Sequence, residues 1–163
     1  SINLKIDRIE TKKLDDKICF AKGTHILTSK GYKLIENLDY EDKLFTIDKR
    51  EVTIKFIKIK ENKIVNDLYY LPKNSLGINK PFANLYISAI HFINHQNIIM
   101  LPFLSRFFVK CNPSKVKYYH IKTNNYSSDW IIANGIGCET LGMNYGKDLE
   151  TRNERWIKAQ NNG

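Results

Sequence analysis

The chain has 163 residues, of which 42% are apolar and 26% charged, and a formal net charge of +9. That length supports one domain with a substantial core and is short for two. No apolar run approaches the roughly 20 residues that a membrane-spanning helix needs. Ile, Asn and Lys together exceed a third of the residues, a bias typical of AT-rich genomes that loads the surface with lysine without a functional cause. The lysines run from Lys5 to Lys158 with no dense cluster, so the charge predicts a solvated surface and not a nucleic-acid interface. Cys19, Cys111 and Cys138 are odd in number and widely spaced. They offer neither a disulfide framework nor a CxxC zinc pair, and free thiols fit a reducing compartment.

In chain order, alternation at Ile2, Leu4 and Ile6 predicts a short strand, followed by a charged linker to residue 18. From Cys19 onward the pattern is one of short strands and turns. Strands are expected over residues 32–35 and 44–47. Another is expected over 52–59, where the apolar phase flips between Phe56 and Ile57 and predicts a bulge or twist. Residues 64–71 are expected to pair back on that strand through a turn at Glu61-Asn62-Lys63. A Gly-, Asn- and Pro-rich loop spans 72–81. Further strands are expected at 85–87, 91–93, 98–101, 107–109, 116–123 and 130–133. Asn134-Gly135 then predicts a tight turn into a last strand over 136–141. The segment 142–163 is polar and charged, with modest helix propensity and possible contacts from Leu149, Trp156 and Ile157. Strands at this spacing predict an all-β domain.

Three blocks could carry chemistry. The first is Cys19-Phe20-Ala21-Lys22-Gly23-Thr24-His25-Ile26-Leu27-Thr28, a cysteine followed by a glycine-bearing turn and an alternating strand. The second is Ser88-Ala89-Ile90-His91, directly after an apolar strand. The third is Tyr118-Tyr119-His120-Ile121-Lys122, followed by Asp129-Trp130-Ile131-Ile132-Ala133-Asn134-Gly135 and closed by Glu139-Thr140-Leu141. A thiol attacks as thiolate, and a peptide carbonyl is a poor electrophile. Cleavage at a cysteine therefore needs an acid for the departing nitrogen and donors for the oxyanion. If the leaving group is the cysteine's own nitrogen, the nucleophile must be the residue just after the bond. Cys19 meets that condition for the Ile18–Cys19 bond. Imidazole titrates near neutrality and suits the acid. His91 and His95 are four apart, as a zinc pair on a helix would be, but their segment predicts strand and turn, and no metal is expected.

The three blocks, in order over residues 19–141, resemble the Hint domains shared by hedgehog autoprocessing proteins and inteins, and are most similar to the bacterial-type Hint subfamily. The resemblance implies an all-β horseshoe of long bent strands with a pseudo-two-fold arrangement. It also implies autoproteolysis at Ile18–Cys19 by an N-to-S acyl shift. Carried over by motif, Cys19 is the nucleophile, His91 the acid that polarises and protonates the scissile amide, and Ser88 its support. His120 assists proton transfer or thioester breakdown, or else is a buried histidine bonded to backbone carbonyls. Residues 1–18 would be the flank of the upstream acyl donor, 19–141 the domain and 142–163 a polar tail. No cofactor is implied. The acceptor of the thioester would be water or another small nucleophile, and neither nucleic acid nor membrane is an expected partner. One departure limits the chemistry. Inteins end in His-Asn, whereas Glu139 and Thr140 stand here, so no side chain is available to cyclise and splicing is not expected. The alternative function is a non-cleaving Hint-like module for assembly. If active, the domain would be a self-processing cysteine autoprotease that acts in a single turnover.

Overall fold

The protein is described here from a computed structural model covering residues 18–65, 67–142 and 146–162. The side chains of residues 61–65 and 114 lie outside that description. The strand expected near Ile2–Ile6 and the linker that follows fall outside the described residues.

Thirteen strands form one continuous hydrogen-bonded sheet among the described residues. They are β1 (Phe20–Ala21), β2 (His25–Thr28), β3 (Gly31–Leu34), β4 (Lys43–Phe45), β5 (Glu51–Val65), β6 (Leu68–Leu71), β7 (Leu85–Ser88), β8 (Ile93–His95), β9 (Ile98–Met100), β10 (Val109–Lys110), β11 (Ser114–Thr123), β12 (Trp130–Ala133) and β13 (Ile136–Glu139). The spatial order is β10-β6-β7-β1-β11-β5-β4-β2-β12-β13-β8-β9, with β3 beside β2. One helix, α1 (Lys147–Asn161), follows the last strand. The all-β expectation holds, and the sheet curls around a core that includes Phe20, Ile26, Leu44, Leu85, Ile87, Ile121 and Ile131.

Two local signals come out as expected. Asn134 and Gly135 both adopt positive φ, 50° and 90°, and turn β12 into β13 with Ala133 facing Ile136. That is the geometry that favours Asn-Gly in two-residue hairpins. Of the bulge or twist expected near Phe56 and Ile57 in β5, the structure has a bulge, placed just before them. Lys122 of β11 faces Phe56 while Thr123 faces Ile54, so Lys55 is the extra residue.

Three expectations need correction. The charged triplet Glu61-Asn62-Lys63 is not a turn, because β5 runs through it and Lys63 pairs with Val116. A partner strand ten residues long keeps the β5 backbone hydrogen-bonded past that triplet, which local turn propensity cannot see. β6 consequently pairs with β7 and β10 rather than folding back on β5. Second, His91 precedes its strand, since β8 begins at Ile93 and residues 88–91 form a turn closed by His91 N–H to the Ser88 carbonyl at 3.2 Å. Third, the tail is helical as its propensity allowed, with Leu149 and Trp156 packed, but Ile157 does not make the contact expected of it. Leu149, Arg152, Arg155 and Ala159 recur at three- and four-residue spacing and are buried, while Ile157 is exposed. Ala159 joins Phe92, Ile99, Leu101 and Trp130 in a second apolar cluster under the helix. Asp148 and Glu150 in the first turn and Lys158 in the last complement the helix dipole.

Gly137 of β13 faces Asn94 of β8 with no room for a side chain. A Cβ there would lie 2.6 Å from the Asn94 carbonyl oxygen and 2.7 Å from the Ile47 Cγ2. Gly137→Ala is expected to destabilise the fold by about 2–3 kcal/mol, within the usual overpacking range. Urea unfolding checks this, and an unchanged midpoint would mean that the β8 backbone yields freely.

Candidate active site

The register of β1 assembles the site. Phe20 pairs with Tyr119 of β11 on one side and with Ile87 of β7 on the other. Continuing both antiparallel ladders by one residue sets Cys19 opposite His120 and opposite Ser88. The hydrogen bonds follow that register. The Cys19 N–H donates to the Ser88 Oγ at 3.2 Å, and the Ser88 N–H donates to the Cys19 carbonyl at 3.4 Å. His120 Nδ1 lies in a short hydrogen bond with the Ile18 carbonyl oxygen. Since that oxygen can only accept, Nδ1 carries the proton.

Both ends of the Ile18–Cys19 peptide are therefore held by side chains, its nitrogen by Ser88 and its oxygen by His120. The nitrogen contact that motif reasoning gave to His91 belongs to Ser88. The turn 88–91 swings the His91 ring onto the next carbonyl instead, with Nδ1 3.1 Å from the Cys19 oxygen. Its Nε2 lies 2.9 Å from the Glu139 carbonyl oxygen. Rings flank both imidazoles edge-on, Phe20 against His91 and Tyr118 against His120. All four residues singled out by sequence, Cys19, Ser88, His91 and His120, thus lie within one residue of the same peptide bond.

The site is dry. Ile18, Cys19, Ser88, His91 and His120 are each at most 4% exposed. Ile18 packs with Leu141, Phe56 and Ile90, so it is part of the domain rather than of a linker. Burial pushes the Cys19 thiol up to about 12, with the Ser88 hydroxyl and amide pulling weakly the other way. Burial also pulls the His91 imidazole below its ordinary value, against the Glu139 charge and the two carbonyls that favour its cationic form. A neutral imidazole has one N–H, yet His91 faces two carbonyl oxygens. Only the imidazolium satisfies both contacts, so His91 is a neutral group in a cavity shaped for its conjugate acid.

Sequence reasoning missed a second layer. The Glu139 carboxylate is fully buried. It accepts from Tyr126 Oη at 2.6 Å, from Arg152 Nη1 at 2.7 Å and from the Phe92 N–H at 2.5 Å. The available signal was an acidic residue within Gly137-Cys138-Glu139-Thr140-Leu141, a strand whose neighbours face inward. Such a carboxylate calls for a cation from elsewhere in the chain. The other two cysteines stand apart. Cys138 is buried, with its thiol pushed well up by burial and directed at the Ile136 carbonyl, as a small apolar residue would be. Cys111 is half-buried and free. Among the described residues no cluster of His, Cys, Asp or Glu could hold a metal ion.

The depressed His91 value has a stability consequence. Unfolded, the imidazole takes up a proton near pH 6.5, whereas the folded site resists it. Below about 6.5 the unfolded chain therefore binds more protons, and stability falls with pH until the folded group also titrates. His95, depressed by partial burial and then by Lys80, adds in the same direction. Thermal melts of Cys19→Ala are expected to drop in midpoint between pH 7 and 5, with a shallower drop in Cys19→Ala/His91→Gln. Equal slopes would mean that His91 is already charged in the fold.

Comparison with known proteins agrees with this architecture. No curated protein matches the chain in sequence. Solved structures of similar fold include the MchDnaB-1 intein (N145AA), with 12% identity, 75% of this chain and 99% of that one covered, and a TM-score of 0.55. A DnaB intein from Synechocystis sp. PCC 6803 has 14% identity, coverage of 76% and 99%, and a TM-score of 0.53. A bacterial intein-like domain from Clostridium thermocellum has 17% identity, coverage of 75% and 98%, and a TM-score of 0.50. At these identities the likeness is one of fold alone. The family model described as Hint domain matches residues 18–144, most of the chain, and the chain belongs to the Hint domain family.

Proposed function

We propose that this domain cuts its own chain at Ile18–Cys19 by an N-to-S acyl shift, without splicing. The observation that carries the reading is the grip on that one peptide bond, with Ser88 on its nitrogen and His120 on its oxygen. The Cys19 sulfur bonds to the Ile18 carbonyl carbon and the C–N bond breaks. The thiol proton ends on the Cys19 nitrogen, so the net change is one proton moved from sulfur to nitrogen. His120 Nδ1–H stabilises the oxyanion as charge develops. The Ser88 hydroxyl, hydrogen-bonded to both the Cys19 thiol and the Cys19 N–H, relays the proton, and His91 on the adjoining carbonyl can hold it as imidazolium in the interval. The resulting thioester passes to water or a small nucleophile, with residues preceding Cys19 as the acyl group. Glu139 and Thr140 stand where splicing would need His-Asn, so the chemistry ends at this cleavage.

One observation favours a second reading, a non-cleaving Hint-like assembly module. A thiol held up at about 12 in a closed site is poorly armed at neutral pH.

Incubation with dithiothreitol or hydroxylamine, followed by intact mass, separates the two. The cleavage reading expects a fragment ending at Ile18 and a second beginning at Cys19, with no reaction in Cys19→Ala. His120→Ala is expected to slow the reaction by about 10²–10³, the usual effect of removing one oxyanion donor. No fragment from the intact chain after days with either reagent supports the assembly module.

The pH profile tests the proton bookkeeping. The reactive pair, thiolate with imidazolium, carries as many protons as the resting pair, thiol with neutral imidazole. When trapping is fast enough that the shift limits the rate, the rate should be flat from above the depressed His91 value to near the Cys19 value of about 12. It should fall in acid. A tenfold rise per pH unit between 7 and 9 would mean that free thiolate acts without the histidine.

A further inference from the structure

We infer that α1 is a working part of the cleavage site, with Arg152 as a positioning residue that acts through Glu139 to hold His91 against Cys19. This rests on the cleavage reading of the same site. The family match ends at residue 144 and α1 begins at Lys147, so the cation comes from outside the matched domain.

The contacts converge on one tripeptide. Arg152 Nη1 donates to the Glu139 Oε1 at 2.7 Å. Its Nη2 reaches the Ile90 carbonyl at 3.5 Å, and its guanidinium lies 4.8 Å from the centroid of the Phe92 ring. Glu139 grips the same stretch by three atoms. Its Oε2 accepts from the Phe92 N–H at 2.5 Å, its N–H donates to the Phe92 carbonyl at 3.0 Å, and its carbonyl meets His91 Nε2 at 2.9 Å. Residues 90, 91 and 92 are thus each held by Arg152, Glu139 or both. His91 itself is held at Nε2 by a carbonyl whose position Arg152 fixes, which leaves Nδ1 facing the Cys19 carbonyl.

A tie serving stability alone could sit anywhere along α1. Arg155, one turn on, is such a tie, bonding the carbonyls of Tyr126 and Ser127 and stacking on Trp130. Arg152 shares Tyr126 with that tie, its Nη1 lying 3.3 Å from the Tyr126 Oη, but it adds contacts to both neighbours of the imidazole, the Ile90 carbonyl and the Phe92 ring. The arrangement also accounts for Glu139 itself. A carboxylate buried beside His91 would be an uncompensated charge without the guanidinium, and with it the strand end at residue 139 has one position.

The test uses the full chain. Thiol-induced cleavage is compared in wild type, Arg152→Ala, Arg152→Lys and a control on the exposed face of α1, Glu150→Ala. In parallel, the His91 ring is titrated by NMR in the uncleavable Cys19→Ala background carrying each substitution. The charged groups facing His91 are Glu139 from β13 and Arg152 from α1, with the Cys19 carbonyl at its Nδ1. Cleavage should slow more than tenfold in Arg152→Ala and less in Arg152→Lys, while Glu150→Ala matches wild type. The His91 titration should move in the Arg152 variants and stay put in Glu150→Ala. If Arg152→Ala fails to fold, Arg152→Lys and Glu139→Gln decide by the same titration, with His91 moving to lower pH in Glu139→Gln. Folded variants that leave the His91 titration where it was, at unchanged cleavage rate, overturn the inference. A wild type that never cleaves but whose His91 responds to Arg152→Lys overturns the cleavage reading and leaves the positioning role standing.

Discussion

The site depends on where β1 is inserted. A two-residue strand, Phe20–Ala21, is wedged between β11 and β7, and its register decides what touches the peptide bond before it. A shift of one residue would turn Cys19 to the opposite face and put neither His120 nor Ser88 on that bond. The register is fixed by burial. Phe20 is 1% exposed and packs with Ile87, Tyr119 and Ile121 in the main core, while Ile18 fills the separate cluster with Leu141, Phe56 and Ile90. Apolar residues on both sides of Cys19 thus lock the chain so that the polar contacts of the bond between them have one arrangement.

Burial does the electrostatic work as well. A dry site disfavours charge on both partners, raising the thiol and lowering the imidazole. Taken singly, each shift looks like disarmament. Taken together, they favour the neutral thiol and the neutral imidazole, and the proposed chemistry would need only a proton moved within the site. The two carbonyls facing His91 and the Glu139 charge nearby favour the imidazolium once it forms. Exclusion of water also strengthens the bond from His120 to the Ile18 oxygen, since a low local dielectric enlarges such interactions.

Much of this was legible in the sequence, for identifiable reasons. The Asn134-Gly135 hairpin is a local backbone requirement, and so is the bulge in β5, which the phase flip at Phe56 and Ile57 announced as a bulge or twist. Cys19, Ser88, His91 and His120 were found from block order and residue chemistry, and the structure brings them together. What could not be read was which atom each would touch. That depends on the β7–β1–β11 register, a long-range property in which Ser88 gained the nitrogen and His91 the next carbonyl. The β5 extension through Glu61-Asn62-Lys63 was hidden for the same reason, because a turn-like triplet is overruled when a partner strand runs alongside. Helix α1 was legible as helix propensity, but its buried face was not, because two of its four buried positions are arginines. Their apolar stems and stacked guanidinium groups cover Phe92, Tyr126 and Trp130 where a hydrophobicity pattern expects leucine.

The central claim is that the Ile18 carbonyl is polarised by His120 before any bond is made. Isotope-edited infrared spectroscopy of Cys19→Ala, with ¹³C at the Ile18 carbonyl, measures this directly. The account predicts a carbonyl band at lower frequency than an ordinary strand amide, which returns to the ordinary position when His120 is replaced by Ala. A band already at the ordinary position, and unmoved by that replacement, would contradict it.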